Sequence, residues 1–173
     1  VRYNGGGWTT DYLMTVLDVR RHAYTIPRGA TEDLQANHPE FRAFYPFGER
    51  RPFATWTRPV AALANQNSYS NAEIFSHAFK QLGLGPLVGT PTFGAVISTG
   101  AKRLIDGSYV RLPFRGWYVY DSGENMEDTP AVPDIMVTNP PNAKALGQDP
   151  QLERAVEALL ERIDGATAGA AGA

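Results

Sequence analysis

VAALANQNSYSNAEIFSHAFKQLG, residues 60–83, is the stretch on which the reading of this chain turns. It opens with an apolar run, Val60 to Ala64, that reads as a buried strand. A hydroxyl-rich turn follows, Asn65-Gln66-Asn67-Ser68-Tyr69-Ser70. Ala72, Phe75, Ala78, Phe79 and Leu82 then recur at helical spacing, and Gly83 stands where a helix stops. Ser70-Asn71-Ala72-Glu73 has the form of a capping box, in which the serine hydroxyl accepts a first-turn N–H and the glutamate reaches back. A serine at a strand-to-helix turn has two readings. It can be an N-cap. It can also be a nucleophile held at the positive end of a helix. The motif by itself leaves both open.

Composition narrows the surroundings. The chain has 173 residues, 43% hydrophobic and 20% charged, which suits one domain with a sizeable core. A net charge of −2 gives no reason to expect nucleic acid or an anionic membrane as partner. The absence of cysteine rules out disulfides, thiolate metal sites and cysteine nucleophiles, and no metal or cofactor is expected. No apolar run approaches the roughly 18 residues that span a bilayer. Residue 1 is Val, and Val1-Arg2-Tyr3-Asn4 reads as the end of a strand entering a glycine turn. The sequence is therefore read as the C-terminal piece of a longer protein.

The remaining elements follow in order. Gly5-Gly6-Gly7 is either a flexible turn or a cradle of backbone N–H groups for an oxyanion. It lacks the Gly-Lys-Ser/Thr of a phosphate loop and the spacing of a dinucleotide fingerprint. Trp8, Tyr12, Leu13, Val16 and Leu17 form an apolar helical stripe. Val19 to Tyr24 reads as a strand, and residues 30–53 as a long loop with an aromatic cluster at Phe41, Phe44, Tyr45 and Phe47. After Gly83 the pattern is mostly strands: Gly85–Thr90, Thr92–Ser98, Lys102–Ile105, Ser108–Pro113, Gly116–Tyr120 and Val132–Val137. Asp106-Gly107 is a hairpin turn signal. Asp121 to Asp128 is an acidic loop, Asp149 to Ile163 a helix opened by Asp149-Pro150, and Ala166 to Ala173 a frayed tail. The order predicts an α/β fold whose two ligand-facing turns lie at the ends of strands.

Three segments carry a family resemblance. Asn65 to Phe75 resembles the nucleophile segment of the tail-specific and C-terminal processing proteases, and of the tricorn-like branch of that superfamily. Arg2-Tyr3-Asn4-Gly5-Gly6-Gly7 resembles its Arg-x-Asn-x-Gly-Gly turn. Leu87 to Gly94 resembles its Val-Gly-x-x-Thr-Phe-Gly strand. The resemblance covers roughly residues 1 to 163. It implies a ClpP/crotonase-like layered βα core with additional β-strands. The domain expected is residues 1–164, the C-terminal part of a serine protease catalytic domain, with 165–173 as a flexible tail. Where the bacterial processing proteases carry a general-base lysine, this chain has Ala95, so a Ser–Lys dyad cannot form there. The tricorn-like branch instead uses a serine, a histidine and a Ser–Glu pair that orients the histidine. Met126-Glu127-Asp128 before Val132-Pro133-Asp134 resembles its glutamate loop, although no residue separates Val132 from Pro133.

The resemblance implies Ser70 as nucleophile, Glu127 as orienting carboxylate, and Gly6 or Gly7 with Asn71 as oxyanion donors. A serine hydroxyl needs a base. His77 lies about two helical turns from Ser70, roughly 10 Å along the axis, too far for direct contact. His22 and His38 match no family position, so the resemblance puts the base N-terminal to Val1. Thr25 occupies the position where the tricorn-like branch has an acid favouring basic substrates, so the resemblance does not carry that preference over. The expected function is a serine endopeptidase acting on unfolded proteins or oligopeptides. The alternative is a non-catalytic peptide-binding module on the same fold. A crotonase-like acyl-transfer enzyme is disfavoured for lack of a coenzyme A signature. Upstream PDZ or β-propeller domains and a homo-oligomer are expectations of the same kind. A cytoplasmic location is expected, with periplasmic or secreted as the alternative.

Overall fold

A computed structural model describes residues 1–18, 56 and 58–170. The expected strand at 19–24, the aromatic loop, His22, Thr25 and His38 lie outside the described residues. The chain divides into two compact units, Val1–Met14 with Arg58–Ala173, and Thr15–Thr57. In the second unit, the Trp56 N–H donates to the Val16 carbonyl at 3.0 Å.

The first unit is built on a three-stranded parallel sheet. Strand β1 (Ala62–Ala64) pairs with β2 (Leu87–Gly89), and β2 pairs with β5 (Ile135–Met136). The β1–β2 register sets Ala62 opposite Leu87 and Ala64 opposite Gly89. Every residue of β2 is buried, as a strand covered on both faces requires. The cover comes from helices α2 (Asn71–Gln81) and α3 (Pro150–Ala170), which both pack on β1 and β2. Phe75 and Phe79 of α2 and Ala155 and Ala158 of α3 supply buried side chains. A Cβ on Gly89, whose φ is +135°, would come within 1.9 Å of the Ala64 carbonyl oxygen, so only glycine permits this strand approach. Asp134 leads into β5: its N–H donates to the Leu87 carbonyl at 2.8 Å, and its Oδ2 accepts the Leu87 N–H at 2.9 Å.

Strands β3 (Ile97–Arg103) and β4 (Tyr109–Gly116) form a separate antiparallel hairpin with a bulge at Ser98/Thr99. The Asp-Gly turn forms as expected, with Gly107 at φ +87° and its N–H on the Leu104 carbonyl at 3.0 Å. Two further differences from the sequence reading stand out. The four short strands expected between Thr92 and Tyr120 merge into these two, because Gly100 and Pro113 are accommodated inside the ladder beside the bulge. Helix α3 also runs on to Ala170, past position 165 where the tail is expected to begin. Alanine is the strongest helix former, and the alanines at 166, 168 and 170 offset the cost of Gly165 and Gly169.

Helix α1 (Thr9–Leu17) forms where the apolar stripe predicts it, yet none of its residues is buried. Trp8 just before it and Tyr12 within it are 70% and 72% exposed. Among the described residues, no helix is long and apolar enough to cross a membrane.

Candidate active site

The site begins at the junction of β1 and α2. Ser70 is the N-cap of α2 but adopts φ 57° and ψ −120°, a conformation that a residue with a Cβ rarely takes. Its hydroxyl makes no cap bond. A capping box joins Ser70 and Glu73, with the Ser70 N–H donating to Glu73 Oε1 at 3.0 Å. Glu73 is wholly buried. The same carboxylate also accepts the Ala95 N–H at 3.0 Å on Oε1 and the Gly94 N–H on Oε2. Three backbone donors on one buried carboxylate satisfy it as a charge and lock the serine turn to the strand that leads into β3.

The glycine turn is fastened to this serine turn. The Tyr69 N–H donates to the Asn4 carbonyl at 3.0 Å. Asn65 Oδ1 accepts the Tyr3 N–H at 3.3 Å, and Ser68 Oγ donates to the Val1 carbonyl at 3.1 Å. Asn71 Oδ1 accepts the Thr10 N–H at 2.7 Å. Gly6, at φ +100°, lies so close that a Cβ would stand 2.9 Å from both the Asn71 nitrogen and the Ser70 Cβ. The Gly6 N–H is taken by Asn4 Oδ1 at 2.8 Å, so of the two glycines named as donors, Gly7 is the one with its N–H free. Among the described residues, neither the Gly7 nor the Asn71 N–H meets an acceptor. Farther out, Arg2 grips Asp149 at the start of α3 with two bonds of 2.6 Å and Gln151 at 3.0 Å. The Arg2 guanidinium, helped by Asn139, holds the Asp149 carboxyl well below the usual carboxylate range.

Glu127 is carried on a loop fixed at both sides. Met126 packs with Ile74 of α2 and Val96. The Asp128 N–H donates to the Gly94 carbonyl at 2.9 Å, so the loop hangs from the same Gly94 that Glu73 holds. Glu127 Oε2 is buried and has no hydrogen-bond partner among the described residues. A carboxylate oxygen removed from water without a donor is costly, and such orphans mark places where a partner belongs. His77 is engaged elsewhere. Its Nε2 sits 3.2 Å from the Thr129 carbonyl, burial pushes its pKa down, and it lines a different cleft with Lys80 and Glu124. Among the described residues no acid–histidine cluster could hold a metal.

Ser70, Asn71 and Gly7 share the wall of a cleft of about 550 Å³. Its other side is Trp8 and Asp11 from the start of the chain and Ser98, Thr99, Arg111, Phe114, Arg115 and Trp117 from the hairpin region. Ser70, both glycines and Asn71 are legible in the sequence; the bonds that Glu73 accepts from the Gly94 and Ala95 N–H groups are not. Nor is the place of Arg111 and Arg115 on the cleft wall. Their signal, a cationic cluster around an Asp-Gly hairpin, is visible in residues 97–116 once the hairpin is known to border the serine.

Comparison with known proteins identifies the family. The profile of peptidase family S41 matches residues 1–137. The chain belongs to peptidase family S41. Within that family it is 33% identical over 165 residues to the tricorn protease of Thermoplasma volcanium, covering 95% of this chain and 14% of that one. It is 32% identical over 165 residues to tricorn protease homolog 1 of Streptomyces coelicolor, again covering 95% of this chain and 14% of the relative. A crystal structure of the tricorn protease superposes with a TM-score of 0.70 at 30% identity, over 95% of this chain and 15% of that one. The chain thus spans about one seventh of the length of these relatives. The family assignment agrees with the α/β fold and with the serine-peptidase class expected from the sequence.

Proposed function

We propose that the chain carries part of the active site of a serine endopeptidase that cleaves unfolded proteins or oligopeptides. Ser70 is the nucleophile. The Gly7 and Asn71 N–H groups receive the oxyanion, Gly6 serving by having no Cβ to separate the two turns. The carrying observation is the strained Ser70 at a helix N-terminus, flanked by those two unpaired donors. Glu127 orients a histidine that comes from outside residues 1–173, and its orphaned Oε2 is consistent with a partner supplied that way. Attack of Ser70 Oγ on the peptide carbonyl transfers its proton to that histidine, which then protonates the leaving amine. Water repeats the cycle on the acyl-enzyme. The reading expects a cytoplasmic protein with further domains on the same polypeptide, and a homo-oligomer.

The test is labelling with an active-site fluorophosphonate. The full-length protein should label at Ser70, and Ser70→Ala should not. Residues 1–173 alone should neither label nor cleave casein. Labelling of the isolated chain at Ser70 would mean that His22 or His38 supplies the base. Peptide binding without any labelling of the full-length protein would identify a non-catalytic binding module instead.

A further inference from the structure

The hairpin that faces the serine is strongly cationic. Residues 97–116 carry Lys102, Arg103, Arg111 and Arg115 against one acid, Asp106, in a chain whose net charge is −2. Arg111 and Arg115 line the same cleft as Ser70, where, among the described residues, Asp11 is the one acidic side chain on the wall. Arg111 Nη2 donates to Thr99 Oγ1 at 2.9 Å, which fixes its direction and leaves most of its five donors unused. Arg115 lies over the Phe114 ring at 5.7 Å. Among the described residues neither guanidinium pairs with a carboxylate.

Two unpaired guanidiniums in a cleft beside a nucleophile call for an anionic occupant. Their spacing says which kind. They are four residues apart on β4 with the bulge between them, about 10–13 Å along the strand at roughly 3.3 Å per residue. An extended peptide has the same rise per residue, so two acidic side chains on it can meet both at once. Resting on the peptidase reading above, we propose that this cleft selects extended peptide segments bearing acidic side chains, which Arg111 and Arg115 hold beside Ser70.

The experiment uses the full-length protein and matched internally quenched peptides with a Glu, Gln or Lys pair four residues apart. Each peptide is made as the free acid and as the C-terminal amide. The Glu pair should be cleaved with kcat/KM about tenfold above the Gln pair, mainly through KM. Preference should fall as salt rises. In Arg111→Gln/Arg115→Gln the ratio of Glu to Gln peptide should collapse toward one, while Arg→Lys at both positions should keep part of it. Equal rates for Glu and Gln peptides would overturn the proposal. So would a preference that survives the double substitution, or one that follows the free C-terminus alone. Anisotropy of the same labelled, uncleaved peptides on Ser70→Ala separates the two readings. If no peptide is cleaved by the parent protein, the peptidase reading fails. Arginine-dependent binding of the Glu peptide still supports the acidic cleft, and indifferent binding defeats it.

Discussion

The parallel sheet and the antiparallel hairpin put their residues in opposite surroundings. Around β1 and β2 the backbone approaches so closely that side chains are excluded at Gly85 and Gly89, and polar groups are buried only where they are bonded. Every residue of β4 is exposed, and Ile105 at the hairpin tip is fully in solvent. On the reading proposed above, the serine turn belongs to the first region and the cationic cleft wall to the second. Catalysis needs donors and nucleophile held to within fractions of an ångström, which a packed frame provides. Charge selection tolerates looser geometry, so an exposed ladder serves it. Substitutions near the serine turn should therefore change rates and stability steeply, and those on the hairpin should change mostly which peptide is taken.

The largest effect should come from Gly6→Ala. The new Cβ meets Asn71 nitrogen and Ser70 Cβ at 2.9 Å, and φ +100° is strained for alanine. The turns must part, moving the Gly7 and Asn71 donors off the oxyanion. Loss of one such donor costs about 10²–10³ in kcat, and steady-state kinetics on the full-length protein should show at least that, with KM little changed. Retained kcat would mean that the glycine turn takes no part in the hole. Glu73→Leu should follow. It strips the acceptor from Ser70, Gly94 and Ala95 N–H groups at once. Orphaned buried donors cost about 1–3 kcal/mol each, so denaturant unfolding should register a loss of about 3 kcal/mol or more. A loss below 1 kcal/mol would show that water replaces the carboxylate.

The sequence exposes the local part of this contrast and hides the rest. The helix after Ser70 and the Asp106-Gly107 turn are legible because capping, helical period and turn preference act over a few residues. The Glu73 carboxylate is readable as a cap, but its hold on Gly94 and Ala95 joins residues over twenty positions apart and leaves no periodic trace. The stripe at Trp8 to Leu17 has the spacing of a core helix, yet Trp8 lines the cleft, and the apolar wall of a cleft has the same pattern as a core face. The Gly6 N–H is a free donor in sequence terms, and only the geometry shows Asn4 Oδ1 occupying it. Arg2 and Asp149 are both recognisable, one in the glycine-turn motif and one as a helix start. Nothing between them indicates that they meet.

The Arg2–Asp149 clamp should give a middling effect with a definite pH signature. Asp149 accepts two bonds of 2.6 Å from Arg2, with side chains 14% and 33% exposed. Solvent screening reduces such a pair, so Asp149→Asn should cost about 1–2 kcal/mol. The carboxyl pKa is depressed in the folded state. Its stabilisation is therefore complete above the unfolded value, about 3.9, and is lost as pH falls below it toward the folded value. The gap between parent and variant should stay constant from pH 7 to about 5 and narrow below about 4. A gap that instead closes between pH 7 and 5 would assign the effect to another group.

The smallest effect belongs to the hairpin tip. Ile105 follows Leu104 in the turn that Asp106-Gly107 closes, and its side chain meets only solvent. The turn is held by the Leu104 N–H on the Ser108 carbonyl at 2.8 Å and by Asp106 Oδ1 accepting from the Ser108 N–H at 3.0 Å. None of these bonds uses the Ile105 side chain, so Ile105→Ser should change unfolding free energy by less than about 0.5 kcal/mol. Because the side chain lies outside the cleft wall, it should also leave the Glu-to-Gln peptide ratio unaltered. A loss of 1 kcal/mol or more in the full-length protein would show that the tip is covered by another part of the polypeptide or by a second copy. The hairpin would then be a packed element like the parallel sheet, and the contrast between the two regions would hold only for residues 1–173 on their own.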